Sequence, residues 1–354
     1  MREYRNILVY AMVNLGDVVL LTSAIALLKK AYPQARVTML SRPIVREVIE
    51  HNPVIDDVIL FDYKSKQNSM RQMWSIVQEL RRRKFDLAIS FDRKLRPALL
   101  CLLAGIPVRI GPSRVLDARP SRVTWLYTHT IPITYDLDET LQAETYQEII
   151  RGFTGAVGHE HPVLPTPTEA QRAKAESLLS AAAGKRKIGL CVKGTFGLKT
   201  WPKEYFVEVV RALHERYDAA FYVTGAPGDY AYAEDVISAI GIPVENLCGK
   251  TNLMELAAFY EQLDILISVD TGGAHIAAVT GVPLVVIFGC TSPRRWHPIS
   301  DNAKAFTSNE PCCPCSYGET DCPSYPQPNC LYHVTQDVVL AECIRFLEET
   351  GPKE

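Results

Sequence analysis

The stretch ISVDTGGAHIAAVTGVPLVVIFGCTSP, Ile267 to Pro293, decides the fold of this chain. A mostly apolar run from Leu263 to Val269, broken by Asp264 and Ser268, stops at Asp270-Thr271-Gly272-Gly273-Ala274-His275. A small-residue helix over Ala274–Thr280 follows, then Gly281-Val282-Pro283 and a second apolar run, Leu284–Phe288, closed by Gly289. Strand, glycine-rich turn, helix and strand in this order place the unpaired N–H groups of a helix start at the carboxyl edge of a parallel sheet. That is a seat for an anion, usually a phosphate. Asp270, Thr271 and His275 add polar side chains where a buried strand would simply end; the plainer reading of His275 is a buried structural histidine.

Outward from this unit the same alternation runs along both halves. Strands are predicted at 7–10, 36–41, 58–61 and 87–91, with helices at 17–30, 44–51, 69–83 and 96–104. After an irregular polar stretch, 112–138, one more helix is read over 139–153. The proline-rich His161-Pro162-Val163-Leu164-Pro165-Thr166-Pro167 reads as a linker. Beyond a helix at 168–183 the pattern restarts, with strands at 187–192, 220–224, 265–269 and 284–288 and helices between, and ends in a helix over 336–349. Repeated βα units predict two doubly wound parallel sheets. Their ligands are expected at the carboxyl ends of the strands.

Composition bounds the partners. At 354 residues, 47% hydrophobic and 22% charged, the chain has the make-up of a globular protein of two domains. No apolar run approaches the roughly 20 residues that span a bilayer, and the N-terminal run lacks a small-residue cleavage site, so a cytoplasmic location is expected. The net charge of −2 hides an asymmetry: residues 1–165 hold 22 Lys+Arg against 17 Asp+Glu, and the rest 16 against 23. The basic half suits a polyanionic partner, a phosphorylated substrate or an anionic membrane. No basic stripe interleaved with aromatics is present, so no nucleic acid is expected.

Three turns carry chemistry besides the opening one. In Asn14-Leu15-Gly16-Asp17, Gly16 permits close approach and Asp17 falls in a first helical turn, where it is either a dipole-compensating carboxylate or a general base. Lys193-Gly194-Thr195-Phe196-Gly197-Leu198-Lys199-Thr200-Trp201-Pro202 follows a strand and can wrap a phosphate or diphosphate, with Pro202 at a helix start. Thr224-Gly225-Ala226-Pro227-Gly228-Asp229 offers Asp229 to a ribose or sugar hydroxyl, or is an ordinary turn. Cys312, Cys315, Cys322 and Cys330 have the spacing C-x2-C-x6-C-x7-C; they are reduced thiols, or hold a structural zinc or iron.

Gly16-Asp17, Lys199-x-Trp201-Pro202, Gly249-Lys250-Thr251 with Leu253, Asp270-Thr271-Gly272 with His275, Gly281-x-Pro283 and Phe288-Gly289-x-Thr291-x-Pro293 together resemble the bacterial heptosyltransferases of glycosyltransferase family 9, over nearly the whole chain. The resemblance implies a GT-B fold: two Rossmann-like domains facing a central cleft. The acceptor-binding domain would be 1–165 and the donor-binding domain 166–334, with a last helix, 335–354, packing back on the first. It implies inverting, metal-independent transfer of a heptose from ADP-L-glycero-β-D-manno-heptose to a phosphorylated lipopolysaccharide inner-core acceptor, with peripheral contact to the inner membrane. No cofactor is required for that reaction. Carried over, Asp17 is the base, and Thr195, Lys199, Asp229, Asp270, Thr271, Gly272, Gly273 and His275 line the donor pocket. Gly16, Arg93, Arg96 and Arg114 are candidates for the acceptor. Lys193 falls outside the family pattern. Alternatives are a family 9 transferase with another sugar or with a capsule, O-antigen or protein acceptor, a two-domain UDP-sugar epimerase, and a non-catalytic sugar-nucleotide binding protein.

Overall fold

The computed structural model of the chain describes residues 3–62, 70–91, 95–114, 123–133, 136, 139–315 and 321–351. They form two compact units, Met1–Pro165 and Thr166–Glu354.

The first unit alternates β1 (Asn6–Tyr10), α1 (Leu15–Ala31), β2 (Arg36–Ser41), a short α2 (Arg46–Ile49), β3 (Asp57–Leu60), α3 (Met70–Arg83), β4 (Leu87–Ser90), α4 (Leu95–Leu103), β5 (Val108–Pro112), β6 (His129–Ile131) and α5 (Gln142–Thr154). Its parallel sheet has the order β3-β2-β1-β4-β5-β6, with Ile7 opposite Val37 on one side and Leu87 on the other. β1 lies at the centre and Ile7 to Tyr10 are fully buried, which is why it reads as an unbroken apolar run. Leu8 and Tyr10 pack with Val77 and Leu80 of α3 and Leu100 and Cys101 of α4. α1 is buried from Val18 to Leu28 and packs on α5. The proline-rich segment is fastened to this unit: Val163 N donates to Thr22 Oγ1 at 2.7 Å and Asn52 Nδ2 to Val163 O at 2.8 Å.

The second unit runs α6 (Glu169–Leu179), β7 (Arg186–Cys191), α7 (Lys203–Arg216), β8 (Ala219–Val223), α8 (Tyr230–Ile240), β9 (Val244–Asn246), α9 (Leu253–Glu261), β10 (Ile265–Val269), α10 (Gly272–Thr280), β11 (Leu284–Ile287), α11 (Pro293–Trp296), β12 (Ala303–Phe306), α12 (Asn329–Tyr332) and α13 (Gln336–Glu349). Its parallel sheet has the order β12-β11-β10-β7-β8-β9. α6 opens on a capping box, Thr168 with Gln171, that satisfies two N–H groups at its start. The last helix has contacts within this unit. It packs on α7, buries Val339, Cys343, Phe346 and Leu347 in the unit's core, and its end is gripped by Arg186, which donates to Leu347 O and Thr350 O. β5, β6, β9 and β12 were not read from the sequence; β6, β9 and β12 are edge strands of three or four residues, too short to show a period, and β5 is a five-residue strand between β4 and β6.

Candidate active site

In the second unit the chain steps from β7 through β8 to β9 in one direction, and from β10 through β11 to β12 in the other. The reversal between β7 and β10 leaves a crevice at their carboxyl ends, the usual ligand position in such sheets. The loop after β7 crosses it. Trp201 anchors the loop from below: it is fully buried, donates Nε1 to Val334 O at 2.8 Å and meets the Phe206 ring edge-on at 4.9 Å. The loop closes on itself through Gly194 N, which donates to Thr200 Oγ1 at 3.2 Å, and a Cβ at 194 would stand 2.5 Å from Lys199 O. Across from it, a Cβ at Gly289 would stand 2.2 Å from Leu198 O, so only glycine lets the turn after β11 approach so closely.

This packing delivers Lys199 to Asp270. Nζ lies 2.5 Å from Asp270 Oδ2, and Thr291 Oγ1 donates to the same oxygen at 2.7 Å. Both charged side chains are largely withdrawn from water, 18% and 7% exposed. α10 begins next to this group, with Thr271 extended at its N-cap (φ −140°, ψ 168°) and making no side-chain cap bond. The Thr271 side chain thus leaves the first N–H groups of the helix, at Gly272 and Gly273, without a cap of its own. Thr271 Oγ1 lies 3.7 Å from Cys191 Sγ at the end of β7. His275 is buried one turn in, and its Nδ1 has no hydrogen-bond partner among the described residues. Burial pushes its pKa down to about 4, assisted by Lys199 and His297 and opposed by Asp270, so it is a neutral imidazole at pH 7. A buried, unpartnered nitrogen beside uncapped N–H groups marks a place for a ligand.

The turn after β8 completes the edge. Asp229 Oδ2 accepts from Ala226 N at 3.0 Å, and its other oxygen lies 3.2 Å from Lys193 Nζ, which also sits 5.8 Å above the Tyr232 ring. Lys193, read in the sequence as part of a phosphate-wrapping loop but outside the family pattern, stands beside Asp229 at this edge. Thr195 is exposed at the loop's tip.

In the first unit the reversal falls between β1 and β4. Asp17 stands there in the first turn of α1, partly buried, and Oδ1 accepts from Tyr146 Oη at 2.8 Å; Phe91 packs edge-on against the Tyr146 ring at 5.5 Å. Tyr146 had no signal in the sequence, since 129 residues separate it from Asp17. Gly16 lies beside Asp17 in the same turn. Arg96, half-buried in the first turn of α4, and Arg114, exposed just past β5, follow the carboxyl ends of neighbouring strands. Arg93 lies outside the described residues.

The four-thiolate metal site finds no ligand set. Cys312, Cys315, Cys322 and Cys330 do line one cavity of ≈ 220 Å³ with Leu198 and Glu310, yet among the described residues no three His, Cys, Asp or Glu side chains are placed to hold an ion. None of the ten cysteines is in a disulfide, and Cys313, held protonated chiefly by its contact with Cys330 and by burial, has its pKa pushed up.

The profile of glycosyltransferase family 9 (heptosyltransferase) matches residues 73–325. Lipopolysaccharide heptosyltransferase 3 of Escherichia coli is 27% identical over 307 residues, 83% of this chain and 86% of that protein. Among solved structures, a family 9 glycosyl transferase from Veillonella parvula superposes with a TM-score of 0.86 at 22% identity, covering 99% of both chains. The E. coli ADP-heptose lipopolysaccharide heptosyltransferase II gives 0.77 at 20% identity, covering 97% of this chain and 99% of that one. These likenesses make the fold GT-B. The family profile spans most of the chain, including the Lys199 loop and the Asp270 turn, and the protein is therefore a glycosyltransferase belonging to family 9.

Proposed function

We propose that this transferase moves a heptose from ADP-L-glycero-β-D-manno-heptose, with inversion, to a phosphorylated inner-core acceptor of lipopolysaccharide. On this reading it works in the cytoplasm at the inner membrane face. The observation that carries the reading is the Lys199–Asp270 pair beside the uncapped start of α10 and the orphaned His275 Nδ1. The names of the relatives, lipopolysaccharide and ADP-heptose transferases, supply the sugar and the acceptor class.

Asp17 takes the proton of the attacking hydroxyl, and Tyr146 holds its carboxylate in one orientation. As the bond to the anomeric carbon breaks, charge collects on the departing diphosphate. Lys199, Thr195 and the N–H groups of Gly272 and Gly273 meet that charge, fixed in advance by the packing of Trp201 and Gly289. Neutral His275 offers a hydrogen bond rather than a charge. Asp229 and Lys193 face the nucleoside. Arg93, Arg96 and Arg114 bind acceptor phosphates. Loss of one preorganised donor costs about 3–4 kcal/mol of barrier, roughly 10²–10³ in rate.

The test is calorimetry with ADP-heptose, UDP-glucose and UDP-N-acetylglucosamine, followed by transfer to deacylated inner-core oligosaccharide. ADP-heptose should bind at least tenfold tighter than either UDP-sugar and be turned over. Tighter binding of a UDP-sugar, or transfer only to another acceptor, would replace the donor or acceptor named here within the same family.

A further inference from the structure

A cavity of ≈ 230 Å³ opens in the second unit beside the loop that carries Lys199. One wall is the turn from Gly197 to Thr200; the others bring together Tyr232 of α8, Tyr325 and, from α12, Tyr332, with Trp201. Tyr332 is fixed in place: its ring meets Tyr205 edge-on at 5.9 Å, and its carbonyl accepts from Tyr205 Oη at 3.2 Å. Tyr325 is 52% exposed. Pro202, Pro326 and Pro328 line the cavity too and have no N–H to offer. The Thr200 hydroxyl is already engaged, by Gly194 N and Phe196 O. The cavity is thus rich in ring faces and poor in donors. A phosphate needs donors, and a polyol needs donors and acceptors in number.

The charges sort the same way. Lys203 is neutralised by Asp235 at 2.7 Å and Lys193 by Asp229 at 3.2 Å. Glu204, in the first turn of α7, has no cationic partner among the described residues. The start of α7 brings about half a positive charge, less than the full charge of that carboxylate. Burial, then Asp235 and Glu204, pushes the pKa of Tyr232 up to about 12, and burial and Glu204 raise that of Tyr332. Both hydroxyls stay neutral at pH 7, and the potential around the rings is negative. Tyr232 already draws one cation, for Lys193 Nζ lies 5.8 Å from its ring centre. Aromatic faces beside a carboxylate make a receptor for an organic cation. We infer that this pocket binds a small alkylammonium ion, with its charge held by the tyrosine rings and Glu204. The bound cation braces the turn that aims Lys199. The inference goes beyond the transfer reaction: it rests on the pocket's own residues and stands whichever sugar is moved.

The whole protein is titrated by calorimetry, at constant ionic strength, with choline, with ethanolamine, with dimethylbutanol as the neutral isostere of choline, and with inorganic phosphate. Choline or ethanolamine should saturate the site in the millimolar range, about tenfold or more tighter than dimethylbutanol or phosphate. Either cation suffices, and the tighter one tells whether the natural ligand is a methylated or a primary amine. Glu204→Gln and Tyr325→Leu, both at exposed positions, should each weaken binding about fivefold, with thermal unfolding and nucleotide-sugar affinity unchanged. The inference is overturned if neither cation saturates the site, if dimethylbutanol or phosphate binds as tightly, or if both variants keep the affinity of the unaltered protein.

Discussion

Breaking the Lys199–Asp270 pair tests the site most directly. At 2.5 Å and an effective dielectric of about 20, the gross attraction is ~7 kcal/mol, most of it offset by the desolvation of two side chains that are 18% and 7% exposed. The two single substitutions should differ. Lys199→Met leaves the Asp270 carboxylate buried with Thr291 as its remaining described side-chain donor, and should cost ~3–5 kcal/mol. Asp270→Asn leaves a longer, more exposed ammonium that can turn to water, and should cost ~1–3 kcal/mol. The double variant removes both charges and should recover ~2 kcal/mol or more relative to the sum. Chemical unfolding, with the transition of the second unit resolved, gives the stabilities; calorimetry with the nucleotide sugar gives the function. Donor affinity should collapse in Lys199→Met and fall less in Asp270→Asn. Additivity of the two stability losses within ~0.5 kcal/mol would refute the pairing, and unchanged donor affinity in Lys199→Met would refute its role.

Other perturbations read other parts of the molecule. Asp17→Asn should lower kcat by ~10²–10⁴ with donor affinity unchanged, and Tyr146→Phe by about tenfold; normal turnover in Asp17→Asn removes it from the mechanism. His275, whose pKa burial lowers to about 4, contributes stability that is complete above about 6.5 and lost as pH falls through 4. Unfolding measured across that window should show ~3 kcal/mol more loss in the unaltered protein than in His275→Gln, and equal slopes would count against a buried neutral imidazole. Gly289→Ala forces a methyl to within 2.2 Å of Leu198 O and 2.7 Å of Leu331 Cδ2, and should cost ~2–3 kcal/mol while weakening donor binding; a silent substitution would show that the loop has room. Trp201→Ala opens a cavity under the same loop and should cost ~3–5 kcal/mol in thermal or urea unfolding.

Much of the fold was legible because its central strands are buried on both faces. β1, β10 and β11 are apolar but for Asn6 and the buried Ser268, and the turns that end them carry Gly16, Gly272 and Gly289, so strand and turn mark each other. The edge strands β6, β9 and β12 escaped because one neighbour and three or four residues leave no pattern to read. The site divides along the same line. Lys199 and Asp270 each follow a strong strand, and the sheet order that brings them together comes from crossovers the alternation already implies. Tyr146 reaches Asp17 from a helix 129 residues away, on the surface that α5 happens to press against α1. Contacts of that kind depend on helix rotation, and no local spacing encodes it. For the cysteines the spacing left reduced thiols and a structural metal both open, and among the described residues the thiols line one cavity with no three ligands placed to hold an ion.

A carboxylate at the heart of an anion seat needs its own explanation. Asp270 competes with any phosphate for Lys199, so it must weaken binding of the donor in its ground state. It also keeps the ammonium aimed in a place with little water, and one carboxylate takes only one of the three N–H bonds of Lys199. On the proposed reaction the diphosphate gains charge only as the sugar departs. Against that greater charge Asp270 competes less well, so Lys199 gives more to the transition state than to the bound donor. An interaction that strengthens in this way raises kcat, whereas one of constant strength would only tighten binding. Thr291 fits the same logic, because its hydroxyl holds the Asp270 oxygen that Lys199 would release as it turns toward the leaving group.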